Sequence, residues 1–353
     1  MKNLKVTQLM LARGFGGAER HFTDLSLALA DRGYQIQAIC HPEFSHRAVL
    51  QAHSNIEVVV IKARGHWDLW SAHLIKKHIA RFRPCTVHTH LARGAHLGGK
   101  AANALGIPSI ANLHNYVNLK YYRNIDLFIA ATADQESYLL RQGVAKSDVI
   151  VIPHFSMLAA ISPTLITDGV PLRFVALGRL VKKKGFDLLI RAFVKFLDAG
   201  WDARLLIGGD GPERANLETI VAQSSAAEKI KFHGWIQDIP HFLSQGDVFV
   251  LPSRDEPFGI VVLEAMGSGK SIICTKTLGP LAILDEESAY FTDIDDAQSI
   301  TKSMLELASD KVGAFNKAEV ASSLFRSNYN ADAVVPKVER IYEAGQALLS
   351  NRN

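Results

Sequence analysis

Glu256 and Glu264 stand eight positions apart in the run D-E-P-F-G-I-V-V-L-E-A-M-G-S-G, Asp255 to Gly269. An ionised carboxylate has only acceptor sites and its charge strengthens each hydrogen bond, so a held pair suits the vicinal hydroxyls of sugars and riboses. The preceding residues D-V-F-V-L-P, Asp247 to Pro252, form a short apolar run with β-branched members. That run reads as a buried parallel strand, delivering Glu256 in a loop and Glu264 about two turns along the next helix. Open α/β sheets bind ligands at such strand ends. Standing alone, the motif is better read as a solvated loop glutamate and an exposed helical one.

Other residues with chemistry to offer also follow apolar runs. Gly14-Phe15-Gly16-Gly17-Ala18-Glu19-Arg20 joins a first strand to a helix reaching about Arg32. Glycines there admit close backbone approach and a helix amino terminus favours negative charge, so phosphate or substrate contact is one reading and a structural turn the other. The dinucleotide fingerprint G-x-G-x-x-G fails, because its last glycine position is Glu19 and no acidic residue ends the second strand. His114 closes the run Pro108 to Leu113, where an imidazole positions a sugar or donates to a hydroxyl, or else serves as a hydrogen-bonded structural group. His88 and His90 alternate on one strand face, with no third ligand in helical register to make a metal site.

Gly178-Arg179-Leu180-Val181-Lys182-Lys183-Lys184-Gly185 brackets a turn with Arg179 and Lys184 before a helix over Phe186–Leu197. Fixed cations beside a helix amino terminus neutralise the charge that grows on a leaving diphosphate; Lys182 and Lys183 also fit a solvated basic loop. Gly208-Gly209-Asp210-Gly211-Pro212 and Phe232-His233-Gly234-Trp235 suit either a nucleoside pocket or tight turns. Gly267-Ser268-Gly269-Lys270-Ser271 is not a P-loop, since its first glycine position is Glu264 and Lys270 precedes a strand. Asp293-Ile294-Asp295 has a D-x-D spacing, but it leads a helix and is expected to cap it.

Short apolar runs alternating with helical-period segments predict parallel sheets covered by helices. Strands are expected near Leu4–Leu11, Gln35–Cys40, Ile56–Ile61, Cys85–Thr89, Ser109–Leu113, Leu127–Ala131 and Val149–Ile152. A second series covers Leu172–Leu177, Arg204–Gly208, Lys229–His233, Val248–Leu251, Ser271–Cys274 and Ala289–Phe291. Between them, Ser156 to Val170 lacks periodicity and reads as an interdomain linker. The expected domains are residues 1–160 and 170–330, with an amphipathic helix over 331–353 packing back on the first.

The 353 residues, 48% of them hydrophobic, suffice for two cores. A net charge of +4 with dispersed basic residues excludes a nucleic-acid protein. Cys40, Cys85 and Cys274 are far apart and read as buried free thiols in a reducing, cytoplasmic setting. The run Val6 to Ala12 is a first strand and not a signal peptide, and no stretch approaches the roughly 20 apolar residues that span a bilayer. The basic segment His73 to Arg83 near Trp67 and Trp70 fits either an anionic membrane surface, at the inner face of a cytoplasmic membrane, or an ordinary covering helix.

The ordered set G-G-A-E-R, a histidine after the fifth strand, G-R-L-V-K-K-K-G, G-D-G-P, F-x-G and E-P-F-G-I-V-V-L-E-A-M-G-S-G resembles the retaining GT-B glycosyltransferases of family four. That group includes glycogen synthases, sucrose synthases and bacterial phosphatidylinositol mannosyltransferases. The resemblance implies an α/β GT-B fold, two facing Rossmann-like doubly wound domains with a cleft between them. It implies retaining, metal-independent transfer of a hexose-like sugar from a nucleotide diphosphate-sugar, UDP-sugars among them, to a glycan or lipid-linked hydroxyl in lipopolysaccharide or another bacterial envelope glycan, with no cofactor. By the same similarity, Arg179 and Lys184 grip the donor diphosphate, Glu256 with Phe258 and Gly259 holds the sugar, and Glu264 takes the ribose. Gly16 and Gly17 face the diphosphate or acceptor, His114 sits beside the reacting carbon, and Glu19, Arg20 and His90 are assigned to the acceptor. Two places depart from the family pattern: Ile152-Pro153-His154-Phe155-Ser156 replaces I-P-N-G-V-D, and Leu278-Gly279-Pro280-Leu281-Ala282 lacks the acid of G-G-x-x-E. Rival readings are a sugar-nucleotide epimerase or a phosphorylase on the same architecture, and a noncatalytic sugar-nucleotide sensor.

Overall fold

The computed structural model describes residues 4–14 and 16–350, with side chains to 345, and divides into two compact units. The first comprises Met1–Met157 with Ala331–Asn353, and the second Leu158–Asn330. Phe15 lies outside the described residues.

The first unit runs β1 (Lys5–Met10), α1 (Gly17–Asp31), β2 (Gln35–Cys40), α2 (Arg47–Gln51), β3 (Ile56–Val60), α3 (Leu69–Phe82), β4 (Thr86–His90), α4 (Leu91–Asn103), β5 (Ser109–Asn112), β6 (Leu127–Ala130), α5 (Ala133–Arg141) and β7 (Val149–Val151). Its sheet is wholly parallel in the order β3-β2-β1-β4-β5-β6-β7. The second unit runs β8 (Leu172–Leu177), α6 (Phe186–Asp198), β9 (Ala203–Gly208), α7 (Arg214–Ala222), β10 (Ile230–Gly234), α8 (Ile239–Ser244), β11 (Val248–Leu251), α9 (Ile260–Gly267), β12 (Ser271–Thr275), α10 (Leu278–Ile283), β13 (Tyr290–Thr292), α11 (Ala297–Ser309) and α12 (Lys311–Leu324). These strands are also all parallel, ordered β10-β9-β8-β11-β12-β13. Helix α13 (Ala331–Ser350) belongs to the first unit.

Every expected strand is present, shifted by at most one residue at either end. The reason is plain in β11, where V-F-V-L is buried at every position, as a strand covered on both faces requires. Helix α6 shows the complementary pattern, burying Phe186, Leu189, Ile190, Phe193 and Phe196 on one stripe. Phe174 of β8 meets the Phe196 ring edge-on at 5.3 Å between centroids, which seats that helix on its sheet. In the first unit, Val334, Val335, Val338 and Tyr342 of α13 are buried in the same core as Phe22 and Leu25 of α1.

The segment read as a linker is not a free tether. Ile161 N–H donates to the Gly267 carbonyl at 2.7 Å, and Ile166 enters the second core. Cys40, Cys85 and Cys274 are buried and unpaired, and burial pushes the first two thiols up to about 11. Among the described residues no helix is long and apolar enough to cross a membrane.

Candidate active site

In each sheet the strand order reverses once beside the first strand of its unit, between β1 and β4 and between β8 and β11. Loops leaving those strands diverge to opposite sides, opening a crevice at the carboxyl ends. The candidate residues of each unit gather at these two places.

In the second unit the loops after β8 and β11 are stitched together. Arg254 N–H donates to the Lys183 carbonyl at 2.8 Å, and the Arg254 guanidinium donates to the Lys182 carbonyl at 2.8 Å. The same guanidinium grips both carboxylate oxygens of Asp187 at 2.8 and 2.9 Å and reaches Asp295 at 2.6 Å. Gly185, at φ 68°, opens α6 directly against Pro252, and a β-carbon there would collide with the Pro252 carbonyl. Only glycine meets both the left-handed backbone and that contact. Across the sheet, Gly209 at φ 127° presses on the Gly178 carbonyl while its N–H donates to the Gly234 carbonyl at 2.6 Å.

This scaffold brings Lys184 and Glu256 together as an ion pair, Nζ to Oε2, with Glu256 only 8% exposed. The Gly279 N–H donates to the Glu256 carbonyl at 2.9 Å, so the start of α10 braces the loop that carries the carboxylate. Phe258 and Gly259 are buried at the start of α9, and Glu264 is buried within it. Arg179, just past β8, is exposed and has no ion pair among the described residues. The D-x-D residues do not cap α11: Asp293 pairs with Lys276 at 2.9 Å and Asp295 with Arg254. The cap is the next residue, Asp296, accepting from Gln298 and Ser299 N–H. Lys270 is equally structural, donating to the Gly246 carbonyl at 2.8 Å.

The first unit presents a different chemistry. Gly16 and Gly17 lead into α1, Glu19 lies in its first turn, and Arg20 pairs with Asp24 at 3.0 Å. Burial raises the Asp24 carboxyl to about 6 despite the Arg20 guanidinium. Behind this turn His21, His88, His90, His114 and His154 form one buried cluster. His114 stacks between His154 at 4.8 Å and His90 at 5.3 Å, and His21 packs on His154 at 4.3 Å between centroids. His90 closes β4 and is followed by Leu91 at φ 61°, a left-handed conformation unfavourable for a leucine.

Desolvation keeps these rings neutral: His88 falls to about 4 and His154 to about 3, both mainly from burial. Burial lowers His21, His90 and His114 well below the ordinary 6.5, and repulsion among the rings adds to it. The ring nitrogens of His88 bond Tyr342 Oη at 2.6 Å and Asn112 Oδ1 at 2.8 Å, and those of His90 bond His114 and Gln8 at 3.1 and 2.8 Å. Such groups orient hydroxyls by hydrogen bonding while supplying no charge. Sequence reasoning missed His21, Gln8, Asn112, Tyr342 and Arg254. For Gln8 and Asn112 a signal was present: polar residues inside otherwise apolar strand runs.

Residues 165–341 match the family model described as glycosyl transferases group 1, and residues 15–155 match that of Glycosyltransferase Family 4. The lipopolysaccharide core biosynthesis glycosyltransferase LpsD of Rhizobium meliloti is 28% identical over 94% of this chain and 96% of that protein. The GPI3 subunit of Saccharomyces cerevisiae phosphatidylinositol N-acetylglucosaminyltransferase is 24% identical over 84% of this chain and 73% of its own length. Among solved structures, HepE from Anabaena, crystallised with UDP and glucose, has a TM-score of 0.83 at 18% identity, covering 97% of this chain and 100% of that one. Two parallel α/β units, each with its polar residues gathered where the strand order reverses, and a family model spanning half the chain lead to one assignment: the protein is a glycosyltransferase belonging to the glycosyl transferases group 1 family.

Proposed function

We propose that the enzyme transfers a hexose-like sugar from a UDP-sugar to a hydroxyl of a bacterial envelope glycan of the lipopolysaccharide-core type. The observation that carries this reading is the Lys184–Glu256 pair at the strand-order reversal of the second sheet, a cation for pyrophosphate beside an acceptor for sugar hydroxyls. Lipopolysaccharide-core enzymes among the relatives and UDP in HepE support the acceptor and donor classes. Arg179 and Lys184 neutralise the departing diphosphate, Glu256 with the Phe258 and Gly259 backbone holds the sugar, and Glu264 binds the ribose. Gly16 and Gly17 offer N–H groups to phosphate or acceptor, His114 orients the reacting sugar, and Glu19, Arg20 and His90 contact the acceptor.

Bond breaking to the diphosphate and attack by the acceptor oxygen occur on the same face, retaining configuration, with Arg179 and Lys184 in place of a metal. The donor test is a thermal-shift panel of sugar nucleotides, in which a true donor raises the melting temperature by mass action. Transfer assays with the hit, run with and without chelator, and the anomeric configuration of the product test the rest. An inverted product, a chelator-sensitive rate or a trapped glycosyl–carboxylate adduct overturns the mechanism. Tight donor binding without transfer to any acceptor favours a sensor.

The enzyme also works at an anionic membrane surface in this reading. Trp67, just before α3, and Leu69 and Trp70 in its first turn are 77, 78 and 71% exposed, ahead of exposed Lys76, Lys77 and Arg81 on that helix. Sedimentation with phosphatidylglycerol vesicles is expected to disappear when those three cations become glutamate, and unchanged sedimentation removes the idea.

A further inference from the structure

Seven buried side chains of the first unit form one hydrogen-bonded chain: His114, His90, Gln8, Tyr342, His88, Asn112 and His21. It joins positions as far apart as Gln8 and Tyr342, and it draws on β1, β4, β5, α1 and α13. The amides give it a direction. Gln8 Nε2–H donates to Tyr342 Oη at 3.0 Å, so Gln8 Oε1 is left to accept, and it accepts from His90 Nε2–H at 2.8 Å. A neutral imidazole carries one proton, so His90 Nδ1 must be an acceptor and takes His114 Nε2–H at 3.1 Å. On the other side, Tyr342 O–H donates to His88 Nδ1 at 2.6 Å and His88 Nε2–H to Asn112 Oδ1 at 2.8 Å. Asn112 Nδ2–H then donates to His21 Nε2 at 2.8 Å.

Every link thus donates in the same sense, from His114 round to His21. Reversing one would set two donors or two acceptors face to face in a buried site, so the polarity is all-or-none.

We propose that this chain is a tautomer lock: Tyr342, acting through Gln8 and His90, is a positioning residue that holds His114 as the Nε2–H form with Nδ1 left as a hydrogen-bond acceptor. The consequence for turnover rests on the reading above that His114 orients the reacting sugar. An acceptor nitrogen accepts a hydrogen bond from a sugar or acceptor hydroxyl, whereas the other tautomer presents a donor to the same group. Low proton affinity of these rings in the fold keeps imidazolium from scrambling the pattern near neutral pH.

The test is nitrogen-15 spectroscopy of the histidine rings in the full-length protein, with steady-state kinetics beside it. At neutral pH the native spectrum is expected to show His88, His90 and His114 protonated at Nε2, and His21 at Nδ1. His114 protonated at Nδ1 overturns the proposal without any variant. In Tyr342→Phe the His114 signals should move to a mixture of tautomers, and kcat should fall by about tenfold, the scale of one misplaced hydrogen bond, with KM for the donor unchanged. Thr7→Val is the control: it removes a buried bond from Thr7 Oγ1 to Gln37 in the same strand as Gln8 and should leave tautomers and kcat intact. A fall in kcat with unaltered His114 signals, or equal falls in both variants, makes Tyr342 merely structural and ends the proposal. A tautomer shift with unchanged kcat upholds the lock and instead removes His114 from the proposed function.

Discussion

At the scale of single residues, the histidine cluster ties stability to pH. His88 and His154 titrate near 4 and 3 in the folded protein against an ordinary value of 6.5. Between those limits the unfolded chain binds more protons, so stability is full above about pH 6.5 and is lost as pH falls toward the folded values. Each ring within its window costs about 1.4 kcal/mol per pH unit. The melting temperature of the first unit should drop steeply from pH 6.5 to 4.5, and less steeply in His154→Phe. In the second unit, Lys184→Ala should lower kcat/KM by about a hundredfold, the loss of one cation facing developing negative charge. Glu256→Gln should raise KM for the donor more than it lowers kcat, because the amide keeps one acceptor and sheds the charge. Steady-state kinetics with circular dichroism as a folding check settles both. Arg179, Lys184 and Glu256 could be placed in strand-end loops, and Glu264 on the following helix, because apolar runs mark the strands before them. Arg254 was not, since its partners Asp187 and Asp295 lie 67 and 41 positions away and nothing local marks them. His21 was hidden for a related reason: it is a polar residue on the buried face of an otherwise ordinary helix.

At the scale of elements, strands were the most legible feature, because most parallel strands covered on both faces are apolar runs, β4 with its buried histidines being an exception. Helix ends and loops were less so. The D-x-D run looks like a cap from composition, yet the residue whose carboxylate reaches the helix N–H groups is its neighbour Asp296. Ser156 to Val170 looks like a tether because backbone bonding to a distant helix end leaves no periodic trace. Glycine-rich loops were recognisable as turns, but their interlocking was not. That interlocking makes Gly185→Ala severe: a left-handed alanine and a collision with the Pro252 carbonyl together cost on the order of 3 kcal/mol. Chemical denaturation should show the second unit destabilised by that amount, with donor binding weakened because Lys184 and the Pro252–Glu256 loop shift together.

At the scale of the whole molecule, the chain leaves the first unit at Met157, builds the second through Asn330, and returns with α13. Ending the chain after Asn330 removes Val334, Val335, Val338 and Tyr342 from the first core, on the order of 8 kcal/mol of apolar burial, comparable to the whole stability of a domain. Calorimetry of that truncated protein should lose the first unit's transition and retain the second's. The same return path orders events during synthesis. Residues 158–330 emerge from the ribosome as an unbroken stretch that spans the whole second unit. Residues 4–157 emerge earlier but still lack a helix that their core requires, so the part of the polypeptide made first is the part that matures last.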